Sequence, residues 1–152
     1  MPAKASVAQR APLARSLTYR LHLLHKITDQ VSQQRYEEKL GMSLSDGRCL
    51  ATVGSFGPLS VSELAEHSNL NKSQASRGAQ TLVDQGLVAK VDHPGDGRGV
   101  LLELTPAGRR LWARSMDVID KRNEDIFACL SVAEQAALSG LFDRLIAHNR
   151  RG

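Results

Sequence analysis

Lys72, Ser73, Gln74, Ser76, Arg77 and Gln80 place two cations, two hydroxyls and two amides within nine residues. Groups of these types hydrogen-bond base edges and phosphates, and arginine and the amides do so through two bonds at once. At about 100° per residue, Ser73, Gln74, Arg77, Gln80 and Thr81 gather on one side of a helix over 72–85, opposite Ala75, Ala79, Leu82 and Val83. A helix that is simply solvated on its outer face has the same pattern. A further cation, Arg98, lies in the stretch 93–99, where Pro94, Gly95, Gly97 and Gly99 make a turn and Asp96 can hold the guanidinium. An ordinary polar hairpin tip looks alike.

The elements around these residues decide what they can do. A helix begins at Ser60, with Glu63 three positions on to complete a capping box and Val61, Leu64 and Ala65 at core spacing. Residues 67–70 leave room only for a short turn before Asn71, which caps the second helix with Gln74 at its third position. Two helices joined so tightly cross steeply. After them the apolar period changes from about 3.6 to 2. Leu87, Ala89 and Val91 alternate with Val88, Lys90 and Asp92, and Val100, Leu102 and Leu104 alternate with Leu101 and Glu103. Helix, turn, helix and hairpin over about 43–105 predict a winged helix-turn-helix within a mainly α fold with a small β-hairpin wing.

The segments 57–65, 71–77, 82–88, 96–98 and 104–108 occur in the order and spacing of the motifs of MarR-type transcriptional regulators, which this chain resembles through its whole central region. The resemblance implies a recognition helix that enters a major groove with Lys72, Ser73, Gln74, Ser76, Arg77 and Gln80, and a wing that brings Arg98 to a minor groove. It also implies a two-fold dimer built from the outer helices, and an effector pocket between those helices and the winged unit.

The outer segments fit that scheme. Residues 1–13 lack a helical stripe and are expected to form a flexible arm, ahead of one domain over 14–152. Leu17, Leu21, Leu24, Ile27 and Val31 recur at threes and fours in a helix over 16–39 that Gly41 ends, so residues 14–40 supply one dimerisation helix. A helix over 43–56 follows, capped by Ser43 with Asp46. Thr105 and Pro106 open a helix to about Cys129, and Ser131 with Glu134 opens a last one, so 106–150 supply the rest. These apolar stripes outrun what a small winged unit can cover, which suggests a partner chain. Gly47 stands where relatives usually carry a bulky residue. Either local packing needs the glycine, or space beside the first helix serves a ligand. Projected onto this chain, the family's pocket falls at Tyr19, Arg20, His22, Gly47, Arg48 and Cys49.

Length and composition bound the rest. The 152 residues suit one domain, and a formal charge of +4 suits a polyanionic partner. The charge is uneven: residues 60–105 hold four Lys or Arg against six acids, while residues 1–39 hold seven against three. Two cysteines make no disulfide framework, and neither a leader peptide nor an apolar span is apparent, which points to the cytoplasm and away from a membrane. His22 and His25 share a helix face but lack further ligands, leaving packing, an organic ligand or a metal open. No nucleophile elbow, phosphate-binding glycine loop or paired carboxylates occur, so neither an enzyme nor a cofactor is expected. What the resemblance to MarR-type regulators implies is then a homodimeric repressor of a catabolic operon, bound to a pseudo-palindromic operator in double-stranded DNA. The resemblance also suggests that a small aromatic carboxylate, of the benzoate, cinnamate or pyridine carboxylate kind, would release it. A redox- or metal-responsive regulator and an unliganded architectural DNA-binding protein are the alternatives.

Overall fold

The computed structural model describes residues 10–95 and 99–150. The expected arm over 1–13 lies mostly outside them, as do Arg98 and the Asp96 expected to hold it. After a short 3-10 turn, Leu13–Arg15, the chain forms α1 (Leu17–Leu40), α2 (Leu44–Phe56), α3 (Val61–Ser68), α4 (Lys72–Asp84), β1 (Val88–Asp92), β2 (Val100–Leu104), α5 (Pro106–Phe127) and α6 (Val132–Asn149). This is a mainly helical protein with one two-stranded antiparallel sheet, the winged helix arrangement expected from the sequence.

Each helix start is fixed by its own side chain. Ser16, Ser43 and Thr105 accept the amide three residues on, and Ser60, Asn71 and Ser131 form full capping boxes with Glu63, Gln74 and Glu134. The backbone hydrogen bond that Glu63 accepts from Ser60 holds its carboxyl below the usual range, and Glu134 is held down in the same way by Ser131. Three helix ends use the left-handed region: Gly41 takes φ 65° after α1, Gly86 takes φ 72° after α4, and Asn69 takes φ 58° between α3 and α4. The turn between the two helices therefore closes in three residues.

The core sits under the winged unit. Leu50, Leu64, Ala75, Leu82 and Leu102 are fully buried, and Tyr36 from α1 and Trp112 from α5 close it on the far side. The sheet pairs Val88 with Leu104 and Val91 with Leu101. One element escaped the sequence: Leu59 bridges Leu102 with hydrogen bonds in both directions, of 3.2 and 2.7 Å, tying the start of α3 to the wing. The outer helices behave differently. Leu17, Leu21, Leu24, Ile27 and Val31 on α1, and Leu141, Phe142, Leu145 and Ile146 on α6, are all exposed. No single helix among the described residues is long and apolar enough to cross a membrane.

Candidate nucleic-acid interface and effector site

The buried side of α4 is Ala75, Gly78, Ala79 and Leu82, small enough for the helix to lie close on α2 and α3. Its other side is free. Lys72, Ser73, Ser76, Arg77 and Gln80 are exposed and Gln74 is half-buried, so the structure sets all six sequence-predicted residues of this helix on or beside one outward face. They are not equally available. The Gln74 side-chain oxygen accepts the Asn71 amide as part of the cap, which leaves its NH2 to reach outward. Gln80 is engaged at both ends, donating to Asp84 at 2.8 Å and accepting from Lys90 of β1 at 3.1 Å. It links the helix to the wing, a role that sequence spacing alone does not reveal. Arg77 donates to Ser73 at 3.0 Å, which holds the guanidinium along the outer row. The face thus presents cations, hydroxyls and an amide from a helix whose register is fixed by packing behind it.

The six residues expected around an effector do not form one site within this chain. Tyr19, Arg20 and His22 lie on the exposed first turns of α1. The room that Gly47 suggested is filled: a methyl group there would overlap the Tyr36 ring, so packing of α1 on α2 accounts for the glycine. Cys49 is fully buried, its sulfur against Gly78 of α4. Burial, with Asp46 adding to it, pushes its thiol up to about 12. Reaction with a thiol reagent in the native protein should therefore spare Cys49 and label the exposed Cys129. Labelling of both at similar rates, read by peptide mass spectrometry, would restore the redox alternative. Among the described residues no group of three or more His, Cys, Asp or Glu could hold a metal ion.

Arg48 is different. Its guanidinium donates to Asp29 of α1 at 2.9 Å, and Asp29 also faces Arg122 of α5 at 3.6 Å and His25 at 3.0 Å. The sequence reading missed both Asp29 and Arg122, which no motif connects. Burial holds the pKa of Arg122 below the usual guanidinium value, with Tyr36 and Asp29 acting the other way. An arginine stays charged regardless. Its Nε is buried and has no hydrogen-bond partner among the described residues. Beside it, a cavity of about 300 Å³ runs between α1 and α5, lined by Leu24, Ile27, Val31 and Ile126 and by Arg35, Arg122 and Asp125. An apolar slot with a guanidinium in its wall can take a flat acid.

The sequence model of the MarR family matches residues 40–99. The chain is 33% identical over 87 residues to a Thauera aromatica protein named as a transcriptional regulator for the hcr operon, a match covering 57% of this chain. It spans about half of that relative, 52% of its length. Identity to the uncharacterized HTH-type transcriptional regulator YxaD of Bacillus subtilis is 31% over 96 residues, covering 63% of this chain and 67% of YxaD. Among solved structures, the MarR family protein Rv2887 of Mycobacterium tuberculosis in complex with salicylic acid superposes with a TM-score of 0.70 at 25% identity. That superposition covers 91% of this chain and 99% of Rv2887.

Proposed function

Since the chain belongs to the MarR family of transcriptional regulators, we propose that it works as a homodimeric repressor of a catabolic operon, released from its operator by a small aromatic carboxylate. The observation that carries the DNA-binding part is the outward face of α4, where Lys72, Ser73, Ser76 and Arg77 are exposed and make no contact with the core. A recognition helix held from behind and polar in front fits a major groove. Arg98, outside the described residues, stays in the proposal as the wing's minor-groove cation.

The dimer reading is supported by the apolar faces of α1 and α6. Leu17 is 80% exposed and Val132 87%, and Leu21, Leu24, Ile27 and Val31 on α1 and Leu141, Phe142, Leu145 and Ile146 on α6 are exposed as well, rows of large apolar side chains of the kind that mark interaction surfaces. A second copy covers them in this reading, which sets the two α4 helices at a fixed spacing for two half-sites. Such a regulator acts in the cytoplasm, on DNA, without an enzymatic step.

For the effector, Rv2887 supports the ligand class, since its structure holds salicylic acid. We place the acid at Arg48 and Arg122, with its ring in the slot between α1 and α5, and leave Tyr19, Arg20 and His22 outside the site. The position matters because α1 and α5 belong to the dimer-forming part while α2 packs on α4. An acid that favours a different angle between these parts by about 1.4 kcal/mol weakens DNA binding about tenfold.

The test uses DNA selected by the protein from a random pool. Salicylate should weaken the parent complex in a gel-shift titration, and Arg48→Ala should lose that response. Trp112 provides a second signal: it is the one tryptophan, its Nε1 donates to the Ala51 carbonyl of α2 at 3.2 Å, and its ring covers Gly54. Its fluorescence should change as salicylate binds. Selected DNA held with equal affinity at all concentrations of salicylate, benzoate and nicotinate would favour the architectural reading instead.

A further inference from the structure

We propose that Asp29 is an internal stand-in for the effector's carboxylate: it occupies the anion subsite of Arg48 and Arg122 in the free protein, and the acid binds by displacing it. This rests on the acid-responsive reading above and adds how that site is regulated.

Asp29 uses its two oxygens separately. Oδ1 receives Arg48 at 2.9 Å and faces Arg122 at 3.6 Å, while Oδ2 faces His25 Nε2 at 3.0 Å. Two guanidiniums share one carboxylate, so the cluster keeps a positive excess. The fit is also incomplete. Arg48 has a full hydrogen bond, but 3.6 Å is too long for one to Arg122, and the buried Nε of Arg122 has no partner among the described residues. A buried N–H left unpaired in this way, on an otherwise half-buried side chain, costs free energy that a better-placed anion recovers.

The slot beside Leu24, Ile27, Val31 and Ile126 is lined by Arg122 but not by Asp29 or Arg48, so a carboxylate that enters it meets Arg122 first. Two carboxylates crowded on the same pair of guanidiniums repel each other. Asp29 therefore leaves as the acid binds, and its Oδ2 contact with His25 gives it a place to go. The consequence is mechanical. Asp29 is on α1, Arg48 on α2 and Arg122 on α5, so the exchange cuts the ionic tie between α1 and the winged unit. The price of opening that tie sets the effector's apparent affinity.

Calorimetry with salicylate on the parent, Asp29→Asn, Arg48→Ala and Arg122→Ala tests this. Removing the competing charge should tighten salicylate binding to Asp29→Asn by about tenfold, or about 1.4 kcal/mol. Both arginine variants should bind more weakly than the parent. If they do but Asp29→Asn binds no better than the parent, the site is right and Asp29 is not a competitor. If salicylate binds neither parent nor Asp29→Asn, or binds the arginine variants as well as the parent, the site itself is wrong and this inference goes with it. Should Asp29→Asn fail to fold, the parent still answers. In protein labelled with carbon-13 at aspartate carboxyls, the Asp29 resonance, assigned by its loss in Asp29→Glu, must shift on saturation with salicylate. An unmoved resonance in the complex overturns the proposal.

Discussion

Gly108→Ala should destabilise the fold by about 3 kcal/mol, at the upper end of what overpacking costs. Gly108 lies in the first turn of α5 and is buried, and a methyl group on it would run into the backbone carbonyl oxygen of Leu87. A flexible side chain could swing away from such a contact. The Leu87 carbonyl cannot, because it accepts the Thr105 amide at 3.0 Å, and Thr105 is itself fixed. The Thr105 hydroxyl donates to the Gly86 carbonyl at 2.7 Å and accepts the Gly108 amide at 3.0 Å. The end of α4, the first residue of the wing and the cap of α5 thus meet in one knot of hydrogen bonds. An added methyl must push α5 off the base of the wing or break the cap, which alone is worth about 1 kcal/mol. Urea unfolding at a fixed protein concentration measures the loss, the concentration being held because a dimer's stability depends on it. A variant within about 0.5 kcal/mol of the parent, the range of an ordinary surface change, would show that the knot yields.

That knot also shows where the sequence speaks clearly. Thr105 with Gly108, Ser60 with Glu63, Asn71 with Gln74 and Ser131 with Glu134 each satisfy a helix start with groups three residues apart, so the information is local and the helix starts follow from it. The change of apolar period after α4 is local too, and it separates helix from hairpin. The order of the segments carried the family. Contacts between distant elements are another matter. Gly47 allows either a cavity or close packing, and only the position of Tyr36 on another helix decides between them. Leu59 and Leu102 pair through a single bridge, too short to leave an alternating pattern.

The effector region was the least legible part. The family pattern points to Arg48, but its partner Asp29 lies on α1 and is shared with Arg122 of α5, and neither Asp29 nor Arg122 belongs to a motif. Charged residues on amphipathic helices usually face solvent, so nothing in their spacing distinguishes a shared, half-buried cluster from a solvated row. Gln80 illustrates the reverse error of emphasis. Its place on the outer row suggests a base contact, yet Lys90 and Asp84 engage its amide at both ends. Helical periodicity gives the side of a helix that a residue occupies, and only the fold gives what stands opposite.

Arg77→Ala should cut affinity for the selected DNA by about 5- to 150-fold, the range that corresponds to 1 to 3 kcal/mol for a good arginine contact. Arg77 is the only arginine on α4, and it is exposed in the middle of the outer row. The hydrogen bond to Ser73 holds its guanidinium there before DNA arrives, so less side-chain freedom is lost on binding than for a loose arginine. Its weight is increased by the poverty of its surroundings. Residues 60–105 carry four cations against six acids, so few other groups are available to hold phosphates there. Two kinds of contact give different signatures. A base contact weakens binding to the preferred DNA and relaxes selection at one position, whereas a phosphate contact weakens all sequences alike and lowers the salt slope by about 0.9. Gel-shift titrations of parent and variant at several salt concentrations, on the selected DNA and on single-base variants of it, separate the two. An Arg77→Ala protein with the parent's affinity, slope and sequence preference would place the guanidinium off the DNA, and the outer row of α4 would then have to bind, if at all, through its hydroxyls and Lys72.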